Sequence, residues 1–97
     1  MMVGERAEKA VCMKNKYMLH MRPMQRVAET ASKFESEIRL FLLGESWNAK
    51  SITDMLLFAA TMVYSQQEAC VLKASGADAN EAVEALSDLI EKKLFSE

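Results

Sequence analysis

Apolar and polar positions repeat along this chain with two different periods, and each change of period marks an element. From Ala7 to Lys14 the chain reads AEKAVCMK, with Val11 and Met13 on one side and Cys12 and Lys14 on the other. That is the two-residue repeat of a half-buried strand. From Pro23 the repeat lengthens: Met24, Val27, Ala28 and Ala31 follow i, i+3, i+4, i+7, while Gln25, Arg26, Glu29 and Lys33 take the other face. This spacing predicts an amphipathic helix with one buried stripe. Glu37 to Leu43 starts again in alternation, and Gly44-Glu45 turns it into a short segment around Ser46-Trp47-Asn48. A hairpin is the simplest account.

Ser51-Ile52-Thr53-Asp54 has the form of a capping box, with the Ser51 hydroxyl and the Asp54 carboxylate satisfying backbone donors at a helix start. The run Met55 to Ala60 that follows predicts a short buried helix. Glu68 to Ala74, with Cys70, Val71 and Leu72, reads as another strand that Ser75-Gly76-Ala77 breaks. Asp78 is placed to cap a last helix with Glu81 three residues on, in which Ala82, Val83, Leu86, Leu89, Ile90 and Leu94 share a face. Lys92 and Lys93 near its end complement the helix dipole. The order is β-α-β-β-α-β-α. Helices gathered on one face of a small antiparallel sheet would bury the stripes, an α+β sandwich of two layers.

Length and charge narrow the background. At 97 residues the chain is one domain, 1–97, with residues 1–6 expected as a flexible N-terminal extension. A formal charge of -2, with no Lys/Arg block longer than Lys92-Lys93, argues against nucleic-acid binding. The longest apolar run, Met55 to Ala60, is too short to span a bilayer, and the charged start (Glu5, Arg6, Glu8, Lys9) has no signal-peptide core. A cytoplasmic protein without membrane insertion is expected. Cys12 and Cys70 have neither CxxC spacing nor companion histidines, so they read as reduced thiols.

The candidate chemistry lies in Leu19-His20-Met21-Arg22-Pro23. His20 is the only histidine and stands where the first long helix begins. The first turn of a helix carries unpaired N–H groups and a partial positive charge, worth about 0.3–1 kcal/mol to an exposed anion. Pro23 fits such a turn because its missing N–H has no helical partner to lose, and Arg22 can add charge-assisted hydrogen bonds to phosphate oxygens. An imidazole with a reference pKa of about 6.5 is largely a neutral nucleophile at pH 7. A competing reading takes Met18, His20, Met21 and Met24 as soft ligands for Cu(I), with 8 methionines in the chain. No repeated Met-x-x-Met array supports it, and Met24 belongs to the predicted buried stripe.

Four separated segments carry a resemblance: Asn15-Lys16-Tyr17-Met18-Leu19-His20-Met21-Arg22-Pro23, Ala31-Ser32-Lys33-Phe34, Asn48-Ala49-Lys50-Ser51-Ile52 and Ala74-Ser75-Gly76-Ala77-Asp78-Ala79. In this order and spacing the chain resembles HPr, the histidine-containing phosphocarrier family of the sugar phosphotransferase system. The resemblance implies an open-faced sandwich of four antiparallel strands with three helices on one face. It implies that the protein is a phosphocarrier rather than an enzyme, needing no cofactor or metal. His20 would accept a phosphoryl group from enzyme I, charged from phosphoenolpyruvate, and pass it to IIA components of sugar permeases, with Arg22 steadying it. Ser51 matches the serine that HPr kinase/phosphorylase modifies in some members, the basis of an alternative, mainly regulatory role. Met21, Met24, Ile52 and Met55 fall where relatives dock partners, and a monomer is expected.

The chain also departs from the family pattern. Met18 stands where a glycine commonly precedes the Leu-His pair, and Met21 and Met24 stand where small residues are frequent. Glu29 and Ser32 occupy first-helix positions where lysine is common, which weakens steering toward an acidic enzyme I. Thr53-Asp54 replaces a hydrophobic-glycine pair. Thr61 to Gln67 is longer than usual by roughly one helical turn, and the final strand lacks its usual starting glycine. These differences touch the choice of partner more than the phosphorylation chemistry.

Overall fold

Residues 5–13 and 21–93 are described by a computed structural model. The elements are β1 (Glu5–Cys12), α1 (Met21–Ala31), β2 (Glu37–Leu42), β3 (Glu45–Asn48), α2 (Ile52–Ser65), β4 (Ala69–Gly76) and α3 (Ala79–Asp88). A π-helical turn, Leu89–Lys93, continues α3. The strands form one antiparallel sheet in the order β1-β4-β2-β3.

Alternation assigns the two faces of the sheet. Cys70, Leu72 and Ala74 of β4 and Ile38, Leu40 and Leu42 of β2 are buried, and the register places Ala74 opposite Ile38 and Leu72 opposite Leu40. The helices cover this side with their own stripes: Met24, Val27, Ala28 and Ala31 from α1, Met55, Phe58, Ala59 and Met62 from α2, and Ala79, Ala82, Val83 and Leu86 from α3. Leu89 and Ile90 extend the last stripe into the π-helical turn, while Leu94 lies outside the described residues. Trp47 of β3 meets Phe58 edge-on, ring centroids 5.6 Å apart at 65°. Such pairs add about 0.5–1.5 kcal/mol beyond their buried area. The opposite face of the sheet is polar: Lys73 bridges Glu8 at 3.8 Å and sits 4.6 Å over the Phe41 ring.

The predicted hairpin is β2-β3. Leu42 pairs with Glu45, leaving the two-residue turn Leu43-Gly44 with φ of 53° and 80°. Positive φ at both positions is the primed turn that matches strand twist. Gly44 takes it without strain; a leucine there is unusual and stays exposed.

Four expectations are corrected. Glu5 and Arg6 are not part of a flexible extension, because they pair with Gly76 and Ser75 as the first rungs of the β1-β4 ladder. The same ladder, with Glu37 paired to Ser75 on the other side, carries β4 through Gly76 instead of ending it at Ala74. The second helix is not confined to Met55–Ala60: it runs to Ser65 and closes on Gln66, whose φ of 60° lets its N–H reach the Val63 carbonyl. Asp78 makes no side-chain cap bond to α3. Its carboxylate instead accepts the backbone N–H groups of Glu35 and Ser36, both at 2.9 Å, and the Ser36 hydroxyl at 2.5 Å.

The Asp78-Ser36 contact ties the α1-β2 connection to the junction between β4 and α3. The Ser36 hydroxyl above all, then the Glu35 N–H, holds the Asp78 carboxyl below its ordinary value. Gly76 makes room for this contact, since a Cβ there would stand 2.7 Å from the Ser36 Cα, and its φ of 150° disfavours side chains.

Candidate functional site

Helix α1 begins at Met21, the residue after His20. His20 itself, with Asn15 and Met18, lies outside the described residues. The first turn divides cleanly between surface and core: Met21 is 61% exposed and Arg22 is exposed, while Pro23 and Met24 are buried. No acidic side chain stands in this turn. Its N–H groups and the Arg22 guanidinium therefore present positive charge with no carboxylate on the turn to offset it.

The start of α2 lies beside the later turns of α1. Ser51 is the N-cap, its hydroxyl accepting the Asp54 N–H at 3.1 Å. The return half of the expected capping box is rerouted: the Asp54 carboxylate accepts the Asn48 N–H at 2.9 Å, fastening the helix start to β3. Asn48 in turn accepts the Lys50 N–H through its side chain at 2.9 Å, and the Lys50 ammonium donates to the Phe34 carbonyl at 2.7 Å. These bonds set the loop before Ser51, so Lys50 works in loop geometry. Phe34 packs against the core. Ile52 is exposed and joins Gln25, Ala28, Glu29 and Ser32 around a shallow depression of about 390 Å³ between α1 and α2.

The structure leaves Met21 and Arg22 exposed at the start of α1 and Ile52 exposed at the start of α2, with Ser51 half-buried before it; Ile52 lies beside the later turns of α1 and not beside its first. It removes two residues from the expected docking set. Met24 and Met55 are fully buried, because each lies on the stripe its helix turns to the sheet. They support the two helices from beneath and are not on the surface. Burial of Met24 also takes one sulfur out of the Met/His copper set, of which Met18 and His20 lie outside the described residues. Sequence reasoning missed the exposed apolar side chains of α2, Leu57, Val63 and Tyr64. Their signal was present in the chain: no charged residue occurs from Met55 to Gln67.

The fold and the helix start define a small open-faced sandwich whose first helix begins directly after the sole histidine, with Arg22 exposed and no acidic side chain in its first turn. A family model of the PTS HPr component phosphorylation site matches residues 7–92. The phosphocarrier protein HPr of Xylella fastidiosa is 38% identical over 79 residues, which cover 81% of this chain and 84% of that protein. Among solved structures, HPr-C-His from Thermoanaerobacter tengcongensis superposes with a TM-score of 0.80 at 40% identity, covering 94% of this chain and 98% of the other. HPr from Bacillus anthracis gives 0.75 at 26% identity over 91% of this chain and all (100%) of the other. The chain belongs to the HPr family of phosphotransferase-system phosphocarriers.

Proposed function

We propose that His20 is the phosphoryl acceptor of this chain, loaded by enzyme I from phosphoenolpyruvate and discharged to IIA components of sugar permeases. The observation that carries the reading is the first turn of α1: it opens on the residue after His20, holds no acidic side chain and exposes Arg22. In the transfer, a neutral imidazole nitrogen forms a bond to phosphorus as the donor's bond to phosphorus breaks; the reverse exchange delivers the group to the next carrier. The helix dipole contributes about 0.3–1 kcal/mol toward the phosphoryl charge. A charge-assisted bond from Arg22 adds about 1.5–3 kcal/mol. Stabilisation of this size holds the group in transit without trapping it, as a relay requires.

Met21 and Ile52, exposed apolar side chains of α1 and α2, supply partner contact. Ser51 is the candidate regulatory position for an HPr kinase/phosphorylase. Its hydroxyl caps α2 beside the Asp54 carboxylate, so a phosphate there would place a dianion next to an acid and alter docking at Ile52. The test is loading with enzyme I and labelled phosphoenolpyruvate. One acid-labile, base-stable phosphate is expected on the wild type and none on His20→Ala. Unchanged labelling of the variant, or failure of the wild type with several enzyme I homologues, would sink the proposal.

A further inference from the structure

The depression of about 390 Å³ between α1 and α2 has an apolar part, Ala28 and Ile52, and a polar rim of Gln25, Glu29 and Ser32. The Ser32 hydroxyl is turned back on the Ala28 carbonyl at 2.8 Å. Glu29 is the charged residue of the rim; it is exposed, and among the described residues it makes neither a hydrogen bond nor an ion pair. Arg22, Gln25 and Glu29 stand at i, i+3 and i+7, on one face of α1. At the helical rise Glu29 lies about 10 Å along the axis from Arg22. An interface of ordinary size covers about 800 Å² of each partner, so a protein seated over Arg22 extends over this depression as well.

Resting on the proposed relay through His20, we infer that Glu29 selects the charge of the protein that loads it: enzyme I places a lysine or arginine side chain in this depression, its methylenes on Ala28 and Ile52 and its cation on the Glu29 carboxylate. A partner that closes over the depression takes Glu29 out of water. A covered carboxylate without a counter-charge is strongly destabilising, so the partner must bring a cation. A long basic side chain meets both halves of the depression, because its stem is apolar and its head is charged. A neutral apolar side chain would match Ala28 and Ile52 but strand Glu29, and an acidic one would be repelled. Glu29 touches the partner and not the phosphoryl group, so it acts on affinity and choice of partner.

Binding and loading by the enzyme I of the same organism test it. Unphosphorylated protein is titrated with enzyme I in a calorimeter at two salt concentrations, and loading is followed with labelled phosphoenolpyruvate. Glu29→Gln is expected to weaken binding about tenfold or more and to flatten its dependence on salt, and Glu29→Lys to weaken it further. Glu84→Gln, the same change of charge at an exposed position of α3, is expected to bind as the wild type does. In a set of single Lys→Glu and Arg→Glu variants of enzyme I, one is expected to restore the binding of Glu29→Lys. Wild-type affinity in Glu29→Gln, tighter binding by Glu29→Lys, an equal loss in Glu84→Gln, or a set in which no variant restores binding would overturn the inference even where His20 takes the label. Binding through Glu29 with no label on His20 would instead overturn the reading of His20 and leave the charge pairing in place.

Discussion

Met21 and Met24 stand three residues apart in the same turn of α1, yet the structure assigns them opposite roles, and truncating each to alanine separates those roles. Met24 is fully buried in the shared core; Met21 is 61% exposed. Burying a methionine side chain is worth about 1.5–3 kcal/mol, and the cavity left by truncation brings the expected loss for Met24→Ala to about 2–5 kcal/mol. Against a total stability of about 5–15 kcal/mol for a domain of this size, that is a large fraction. With a urea dependence of about 1–3 kcal/mol per molar, the unfolding midpoint falls by at least about 0.7 M. Met21→Ala removes a mostly solvated side chain, so its stability stays within about 0.5 kcal/mol of the wild type. Under the proposed role of Met21 in partner contact, its effect is expected in the rate of phosphoryl exchange with enzyme I. Urea denaturation followed by circular dichroism, with loading kinetics under native conditions, reads both quantities. Equal loss of stability in the two variants would refute the division of this turn into core and rim. So would a Met24→Ala protein as stable as the wild type whose only defect is slow loading.

Asp78 supplies a pH-dependent contribution. Its carboxyl is held below the ordinary value of 3.8 by the Ser36 hydroxyl and the Glu35 N–H, so the contact stabilises the fold above that pH and is lost as pH falls through the folded-state value. Thermal melts are expected to show Asp78→Asn less stable than the wild type at neutral pH, with the gap closing in acid; a gap that widens in acid would contradict the assignment. The two cysteines are expected to react unequally. Cys12 is exposed, whereas burial first, then the Cys12 and Glu91 charges, push the Cys70 thiol up to about 12. A thiol reagent at pH 8 is expected to modify one site in the native protein and two in denaturant, with Cys12→Ser abolishing the native reaction. Two equal native reactions would show that Cys70 is accessible.

What was legible in the chain and what was not divide along the range of the interactions. The α1 stripe of Met24, Val27, Ala28 and Ala31 was readable because a single period sets it, and the same period already argued that Met24 is core. The family resemblance placed Met24 and Met55 in the docking set, and burial decides against it. The limits of β1 and β4 were hidden, since Glu5 and Arg6 become strand only through Gly76 and Ser75, far away in sequence. Asp78 has the local form of a cap, but the Ser36 hydroxyl and two backbone donors offered by the α1-β2 connection outcompete its own helix. The run after Asp54 suggested a short buried helix because apolar composition ordinarily means burial; in α2 the same composition extends to the solvent side. At the site, the helix start was legible from Pro23, Arg22 and the lone His20. The placement of Ile52 beside Gln25, Ala28, Glu29 and Ser32 required the packing of α1 on α2.

A chase experiment tests the relay most directly. Protein loaded by enzyme I, freed of donor and mixed with a IIA component, is expected to lose its label to IIA while regaining the mass of the unmodified chain, and Arg22→Ala is expected to hold the label less securely in the interval. Label that remains on the chain in the presence of IIA, or that resides on a residue other than His20, would contradict the account.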